Sequence, residues 1–440
     1  MSHPVQLRAI PPIGRRAALD LVAAPGAALL EGWSDEPGWR VILPWPERTV
    51  DRTWSNAAGW RSVVDQVTSA PTWFADPLPG APFLGGWVGY LAYDVGALHE
   101  TAELHEELTP EPPVWFARHS AGIVVRPDGQ HHLFAPEPDL ARYVRELDAA
   151  LAAIDDTLRP RVAFGSATLD DSLAGSAYAR AVDSIRESIA CGDVYQVNLT
   201  RRFRASVAVE PRDLYLAMTG EDPPRCSALL QGDGWTIVSA SPEVFLRFDR
   251  RAGIAESRPI KGTIAREGQD VAEIAALQAS LKDDSEHLMI VDLVRNDLGR
   301  VAPPGRVSVT EYKTVRTLRH VHHLESTVRA DGLEGRTPAD LLDALFPAGS
   351  ITGAPKRAAV HTIRRLEPVP RGVYTGAIGF HDDRGRMELS VAIRTAIATE
   401  AEVRYHAGGG IVWDSDPDAE DAECRAKSVA FLDFIRRKRE

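Results

Sequence analysis

The segment SAYARAVDSIRESIACGDVYQVNLT, residues 176–200, joins a helical pattern directly to a strand pattern. Its first half carries apolar residues at helical spacing, namely Tyr178, Val182, Ile185 and Ile189. Ser176 is placed to cap the start of this helix and Gly192 to end it. From Val194 to Thr200 polar and apolar residues alternate, which predicts a strand. A helix that leads straight into a strand favours a mixed α/β fold.

The predicted strand has one unusually polar face. Gln196, Asn198 and Thr200 point to one side, whereas Tyr195, Val197 and Leu199 point to the other. Three successive hydrogen-bonding side chains on one face are typical of the lining of a wet cavity. We therefore expect this strand to border a functional site.

Helices and strands alternate along the rest of the chain. Strands are predicted at 236–239, 373–380, 387–395 and 402–407, and helices near 271–296, 338–346, 355–366 and 417–436. This mixture predicts an α+β fold, a layered sandwich of sheets and helices. A Gly/Ser/Asp-rich stretch at 159–174 divides a tryptophan- and proline-rich region, 1–165, from a regular region, 166–440.

Composition restricts the function classes. Among 440 residues, 50 Lys and Arg stand against 62 Asp and Glu, and the resulting net charge of −12 argues against a nucleic-acid binder. No uninterrupted apolar run approaches the roughly 18 residues that cross a bilayer. Three widely spaced cysteines argue against a disulfide framework. We expect a cytoplasmic protein that binds neither nucleic acid nor membranes.

Two carboxylate clusters stand out at 283–292 and 416–427. Asp283 and Glu286 share one helix face, and Glu420, Glu423 and Lys427 share another. Hard oxygen ligands from two helices are what a Mg²⁺ ion bound to an anionic substrate needs. The alternative is that these groups complement helix dipoles and form solvated faces.

Three further segments carry reactive or adaptable groups. The glycines Gly408–Gly410 would let backbone N–H groups approach an anion, or form a plain turn. Lys261, within PIKGT at 259–263, is either a solvated lysine or, in a dry pocket, a nucleophile. Glu243 ends a predicted strand and would act as a general acid if desolvated.

Taken in order, these segments closely resemble the chorismate-utilising enzymes. The motifs are GDVYQVNL at 192–199, SPE at 241–243, PIKGT at 259–263, EH through NDLGR at 286–300, GSITGAPK at 349–356 and the segment 408–427. The resemblance is strong from about Ser176 to Arg437 and extends to anthranilate, aminodeoxychorismate, isochorismate and salicylate synthases. It implies two facing β-sheets with outer helices, an active site between them, and a Mg²⁺ cofactor.

Two positions separate the branches of this family. Isochorismate and salicylate synthases carry a lysine base where this chain has Gln196, whose neutral amide cannot accept the proton of an attacking water. Anthranilate synthases resemble PIAGT where this chain reads PIKGT, so Lys261 is similar to the lysine of aminodeoxychorismate synthase component I. That resemblance implies that the Lys261 amine attacks C2 of chorismate while the C4 hydroxyl leaves, and that ammonia then enters at C4 and expels the lysine.

The resemblance also implies roles for the remaining residues. Glu243 matches the general acid, Glu286 and Glu423 match direct Mg²⁺ ligands, and Asp283 and Glu420 would hold metal-bound waters. The substrate would be contacted by Gln196, Tyr374, Arg394, Gly408, Gly409, Gly410, Ser350, Thr352, His323 and Lys427. Arg394 is expected on the polar face of the strand 387–395. For His320, His322 and His323 the alternative is a polar strand face, and zinc is disfavoured because no cysteine lies near.

No cysteine here has the Gly-x-Cys-x-Gly setting of a glutaminase nucleophile. The resemblance therefore implies that a separate glutaminase subunit supplies ammonia, and that the product is 4-amino-4-deoxychorismate, a precursor of 4-aminobenzoate and folate. The alternatives are an anthranilate synthase component I and a non-catalytic binder of chorismate or tryptophan. Residues 27–33 are similar to a tryptophan-binding segment of relatives but depart from its Leu-Leu-Glu-Ser pattern at Gly32, so feedback inhibition is in doubt and a structural tryptophan pocket stays possible.

Overall fold

The computed structural model describes residues 4–69, 76–101, 105, 107–154, 168–279, 281–317 and 321–437. His320 and the predicted boundary at 165 lie outside these residues, and the side chain of Asp283 is likewise outside the described part. The described strands are β1 (Val5–Ile10), β2 (Ala28–Glu31), β3 (Arg40–Leu43), β4 (Arg48–Arg52), β5 (Gly86–Leu91), β6 (Val114–His119), β7 (Gly122–Val125), β8 (His131–Pro136), β9 (Leu169–Asp171), β10 (Gln196–Ala205), β11 (Ser227–Gln231), β12 (Trp235–Ala240), β13 (Val244–Asp249), β14 (Ile254–Arg258), β15 (Ile260–Ala265), β16 (Val307–Thr317), β17 (Val321–Asp331), β18 (Gly353–Ala354), β19 (Ala377–Asp382), β20 (Arg386–Val391), β21 (Thr395–Thr399) and β22 (Val403–Ile411).

Helices cover both outer faces of the strands. They are α1 (Arg15–Leu21), α2 (Trp60–Thr68), α3 (Tyr93–Thr101), α4 (Leu140–Ala153), α5 (Ala177–Ala190), α6 (Pro211–Thr219), α7 (Asp270–Gln278), α8 (Leu281–Gly299), α9 (Pro338–Leu345), α10 (Lys356–Leu366), α11 (Pro417–Ala426) and α12 (Val429–Arg437). Short 3₁₀ turns occur at Trp54–Gly59, Glu137–Asp139 and Gly349–Ile351.

Within the described residues the strands form two antiparallel sheets. Sheet A has the order β1-β8-β7-β3-β2-β11-β12-β21-β22-β10-β18, with β9 also paired to β10. Sheet B has the order β15-β17-β14-β13-β20-β19-β5-β6-β4, with β16 also paired to β17. Both sheets draw strands from either side of residue 165, so that position does not separate one sheet from the other. The functional division of the chain at 165 stays a prediction.

Three apolar clusters define the layers. One lies between the sheets and includes Trp33, Phe83 and Phe380, whose rings pack with centroids 5.6–5.7 Å apart. A second joins the outer face of sheet A to helices such as α5, and a third joins the outer face of sheet B to helices such as α8. Burial of these faces supplies the main driving force for folding. The predicted α+β sandwich of two facing sheets with outer helices is confirmed.

Several predicted elements differ at their ends. The helix from Ala177 to Ala190 and the turn at Gly192, with a φ of +81°, are confirmed, but the Ser176 side chain makes no capping hydrogen bond. The predicted helix 271–296 is two helices, α7 and α8, and the predicted helix 417–436 is likewise divided into α11 and α12. The predicted strand 387–395 ends at Val391, because the backbone turns before β21. No helix among the described residues is long and apolar enough to cross a membrane.

A buried ion pair, Arg371 with Glu367, connects several elements near the end of sheet A. Arg371 is 2% exposed, and its guanidinium donates to both carboxylate oxygens of Glu367 at 2.7 and 2.9 Å. It also donates to the backbone carbonyls of Ile351, at 2.8 Å, and Asn198, at 2.7 Å. Glu367 in turn accepts from the Thr200 amide at 2.8 Å. One charge pair thus fixes β10 against the turn that carries Ser350.

Replacing Arg371 with methionine should lower the free energy of unfolding by about 3–5 kcal/mol, because it leaves the Glu367 carboxylate buried without its counter-charge. Urea titration followed by tryptophan fluorescence measures the change. The control is Arg365→Met in an exposed arginine of α10, which should stay within about 0.5 kcal/mol of wild type. Equal effects of the two substitutions would contradict this assignment.

Candidate functional site

The polar face of β10 lies directly opposite the glycines of β22. Asn198 pairs with Gly410 and Thr200 with Gly408, so the side chains of Gln196, Asn198 and Thr200 and the glycine backbone share one surface. A Cβ on Gly410 would lie 2.2 Å from Nε2 of Gln196, so any other residue at this position would displace the Gln196 amide. Gln196 is 2% exposed, and its Oε1 has no hydrogen-bond partner among the described residues. The structure therefore confirms that this face is polar and presents a buried acceptor.

Helix α11 brings its acidic face against the same glycines. The Glu420 side chain is buried; its Oε1 accepts from the Ser415 hydroxyl at 2.7 Å, and its Oε2 lies 3.2 Å from where a Cβ of Gly409 would stand. Lys427 donates from Nζ to the Gly408 carbonyl at 2.9 Å and pairs with Glu423 at 2.8 Å. The predicted proximity of the glycines to this acidic helix is thus present, but the glycines continue β22 and do not form the loop or turn that the sequence predicted.

The other predicted acidic residue, Glu286, is half-buried on α8, immediately before the buried His287. Among the described residues, the carboxylates of Glu286, Glu420 and Glu423 do not gather three ligand atoms within 4.8 Å of one another. Their joint role as metal ligands stays a prediction.

Glu243 occupies the turn between β12 and β13, where it is 5% exposed. The Ser350 hydroxyl donates to its Oε1 at 2.7 Å. Burial raises the pKa of the Glu243 carboxyl to about 7, although the Ser350 hydrogen bond and the positive charge of Lys261 both pull that pKa down. A carboxyl with a pKa near 7 can both accept and return a proton under ordinary conditions.

Lys261 lies at a bulge in β15, where it is half-buried. Lys261 pairs with Leu324 and Thr263 with His323, so the intervening Gly262 is the extra residue of the bulge. Gly262 has a φ of +80°, a conformation that side chains other than glycine rarely adopt. The glycine that follows Lys261 therefore bends the strand at the lysine, and this places the ammonium within electrostatic reach of Glu243.

His323 lies close enough to Arg394 for the charge of the arginine to act on the histidine ring. His323 is 5% exposed, and burial together with the charges of Arg394, Arg316 and Arg225 lowers its pKa to about 4, so the ring is neutral at pH 7. The alternation predicted that Arg394 lies on a strand, but the residue lies in the connection between β20 and β21. Its backbone φ is +49°. A non-glycine residue in this strained region is uncommon and clusters at functional sites.

Three other predicted contacts are buried near this cleft. Ser350, in the 3₁₀ turn, is committed to Glu243. The Thr352 hydroxyl donates to the Ala348 carbonyl at 3.0 Å, so its side chain is used by its own turn. Tyr374 is buried and stacks on His406, with ring centroids 5.2 Å apart. Their contacts with a substrate stay predictions.

The sequence analysis missed two residues that support this site. His287 lies with Nε2 2.5 Å from the Ser326 hydroxyl and Nδ1 3.5 Å from the Lys261 carbonyl, so it braces the strand that carries the lysine. Glu325 is 2% exposed, pairs with Arg316 at 3.0 Å, and its negative charge raises the pKa of Glu243. In the sequence, His287 directly follows Glu286 and Glu325 lies two residues after His323, and these positions are the signals that could have found them.

Comparison with known proteins identifies the family. The chain matches the chorismate binding enzyme family over residues 34–433. It is 36% identical to anthranilate synthase component 1 of Streptomyces coelicolor, over 82% of this chain and 75% of that protein. It is 37% identical to aminodeoxychorismate synthase component 1 of Klebsiella aerogenes, over 79% of this chain and 76% of that protein. It spans 57% of the length of the aminodeoxychorismate synthase of Streptomyces griseus, at 34% identity over 96% of this chain.

Solved structures agree on the fold. The crystal structure of anthranilate synthase component I from Streptococcus pneumoniae superposes with a TM-score of 0.74 at 26% identity, covering 98% of this chain and 92% of that one. The menaquinone-specific isochorismate synthase of Escherichia coli superposes with a TM-score of 0.72 at 18% identity, covering 100% of this chain and 95% of that one. With a family match over most of its length and relatives above 30% identity, the chain belongs to the chorismate binding enzymes.

Proposed function

We propose that this chain is component I of an aminodeoxychorismate synthase, which converts chorismate and ammonia to 4-amino-4-deoxychorismate for 4-aminobenzoate and folate synthesis. The observation that carries the proposal is Lys261, which lies at a strand bulge within electrostatic reach of the buried carboxyl of Glu243. A primary amine beside a proton-exchanging carboxyl is the pair that covalent amination requires.

The proton balance closes within this pair. The Lys261 ammonium first gives a proton to the Glu243 carboxylate, which leaves a neutral amine and a neutral acid. The amine then bonds to C2 of chorismate while the ring double bonds shift and the C4 hydroxyl departs, taking the proton from Glu243 as water. Ammonia subsequently bonds to C4, the double bonds shift back, and the C2–Nζ bond breaks to release the Lys261 amine, which regains its proton from the new C4 ammonium.

The acidic groups of α8 and α11 are the residues that would hold a Mg²⁺ ion. Glu286 and Glu423 would hold it directly, and Asp283 and Glu420 would do so through water; all of these donors are oxygens, as Mg²⁺ prefers. When bound, the ion neutralises the ring carboxylate of the substrate. The Gln196 amide, the Gly408–Gly410 backbone and Lys427 would contact the substrate beside it, together with His323 of sheet B and Arg394 of the connection between the two sheets.

Ammonia would come from glutamine through a separate glutaminase subunit, as the name component 1 of the Klebsiella relative implies. No motif in this chain supplies a glutaminase nucleophile. Free ammonium salts should therefore replace that subunit in assays.

Anthranilate synthase is the second candidate, because the relative from Streptomyces coelicolor bears that name at 36% identity. Lys261 favours amination at C4. Wild-type protein incubated with chorismate, Mg²⁺ and ammonium should yield 4-amino-4-deoxychorismate and no fluorescent anthranilate; accumulation of anthranilate would favour the second candidate.

Lys261→Ala should slow amination at least about 100-fold, because the nucleophile is lost. Without ammonia, intact-mass spectrometry of wild type with chorismate should show an adduct equal to chorismate minus one water. Lys261→Arg keeps the charge near Glu243 and serves as the matched control; it should fold normally, form no adduct and be equally slow. An adduct on either variant would remove Lys261 from this role.

The pH dependence of kcat/KM should reflect the ionisation of the Glu243 carboxyl. Because its pKa is raised to about 7, the carboxylate that receives the lysine proton is lost below that pH, and kcat/KM should rise as pH increases through about 7. Glu243→Gln should be slow and should lack this step. A wild-type rate that instead falls as pH rises through 7 would contradict the direction of proton transfer.

Glu423→Gln should raise the Mg²⁺ concentration that gives half-maximal activity about 10–100-fold, since a charged ligand is lost. Activity titrated with Mg²⁺ measures this, and saturating Mg²⁺ should recover part of the rate. Asp418→Asn, an exposed residue on the same helix, is the control and should leave the titration unchanged. Identical titrations for the two variants would argue against Glu423 as a ligand.

A further inference from the structure

A second group of potential metal ligands lies on the outer face of sheet B, outside the site described above. Asp270 and Glu273, in the first turn of α7, approach His322 of β17. One ligand atom from each of the three residues lies within 4.8 Å of the others. His322 points to this outer face, whereas its neighbour His323 points into the cleft, because side chains alternate along a strand.

The imidazole of His322 is held by a contact at one nitrogen and has no hydrogen bond at the other among the described residues. The residue is 0% exposed; its Nδ1 lies 2.9 Å from the Thr317 hydroxyl, and its Nε2 has no hydrogen-bond partner among the described residues. This contact fixes the ring orientation, and in the tautomer in which Nδ1 donates to the hydroxyl, Nε2 keeps its lone pair, as in histidines that bind metals. The remaining nitrogen is aimed at the two carboxylates.

The carboxylate of Glu273 complements the His322 imidazole. Its Oε1 accepts from the backbone amides of Glu267, at 2.9 Å, and Gln269, at 3.1 Å, and this fixes the carboxylate. Its Oε2 is buried and has no hydrogen-bond partner within the described part of the chain. A buried acceptor and a buried ring nitrogen, each without a hydrogen bond, face the same point, although burying such groups is costly.

The separations suit a shared ion better than direct contact. Nε2 of His322 lies 3.3 Å from Oε2 of Glu273 and 3.4 Å from Oδ1 of Asp270. An N–H···O hydrogen bond prefers about 2.9–3.0 Å. Two ligands of a tetrahedral ion with bonds of about 2.0–2.1 Å lie about 3.3–3.4 Å apart.

We infer that Asp270, Glu273 and His322 form a second cation site, for a divalent transition ion such as Zn²⁺, separate from the predicted magnesium site. One imidazole and two carboxylates form a donor set that Zn²⁺ accepts, with water completing the tetrahedron. The Asp270 side chain is 40% exposed, so this side of the site is open to solvent. Arg266, which donates to both Asp270 oxygens at 2.8 Å, would keep Oδ2 and yield Oδ1.

The proposed ion would stabilise the structure by joining α7 to β17. His322 pairs with Ile264 of β15, three residues after Lys261. An ion that joins α7 to β17 would therefore hold the outer face of the strand that carries Lys261. Zinc was disfavoured from the sequence because no cysteine is near, but the structure supplies carboxylates from a different segment.

The test uses the full chain, freed of metal with a chelator and titrated with Zn²⁺ by calorimetry in excess Mg²⁺. We expect one equivalent whose affinity falls at least 10-fold in His322→Gln and Glu273→Gln, and a Zn²⁺-dependent rise in Tm that both variants lose. Co²⁺ in place of Zn²⁺ should give a visible spectrum that disappears in the same variants. Circular dichroism checks that each variant is folded, and Asp270→Asn, at a partly exposed position, provides a third variant.

Two controls separate this site from others. His361→Gln removes an exposed histidine of α10 and should retain full Zn²⁺ binding, and Glu423→Gln should retain it as well. Absence of stoichiometric Zn²⁺ binding to wild type would overturn the inference. So would an affinity unchanged in folded His322→Gln and Glu273→Gln. Neither result depends on whether the chain aminates chorismate, because the readouts are binding, stability and a spectrum.

Discussion

The buried pair of Arg371 and Glu367 holds the catalytic end of the molecule in one arrangement. Their charges satisfy the backbone of β10 at Asn198 and Thr200 and the backbone of the Ser350 turn at Ile351. Breaking such a pair in a dry interior costs far more than breaking a surface pair, because neither ion can regain water. The polar face of β10 and the hydroxyl that bonds Glu243 are therefore held in fixed relation by two residues outside the predicted site.

Strand β17 shows how one sheet serves two purposes. Its alternation sends His323 and Glu325 toward the interior, where they influence the cleft, and His322 toward α7. The bulge at Gly262 in the paired strand β15 then adjusts Lys261 without disturbing that alternation. The lining of the site and the packing of an outer helix thus involve opposite faces of the same pair of strands.

Local sequence patterns predicted many of the helices and strands of this fold. Features that depend on contacts between distant parts of the chain could not be predicted in this way. Helix α5 and strand β10 were predicted from the periodicity of apolar residues within 25 residues. The candidate site residues of β22 and α11 were predicted from the sequence motif that contains them. Arg394 was misplaced because its backbone adopts a left-handed conformation that alternation does not encode. The Arg371–Asn198 contact spans 173 residues, and the meeting of His322 with α7 depends on tertiary packing, so neither was visible in the sequence. The breaks after α7 and α11 lack a proline or glycine and were missed for that reason.

The order of strands in sheet A has a consequence for synthesis. The hairpin of β21 and β22 lies in the middle of that sheet, between β12 and β10, although its residues come late in the chain. Until residues 395–411 leave the ribosome, β12 and β10 each present an unpaired edge, and such edges invite association with other chains. The interior of sheet A therefore cannot be completed before residues 395–411 have been translated.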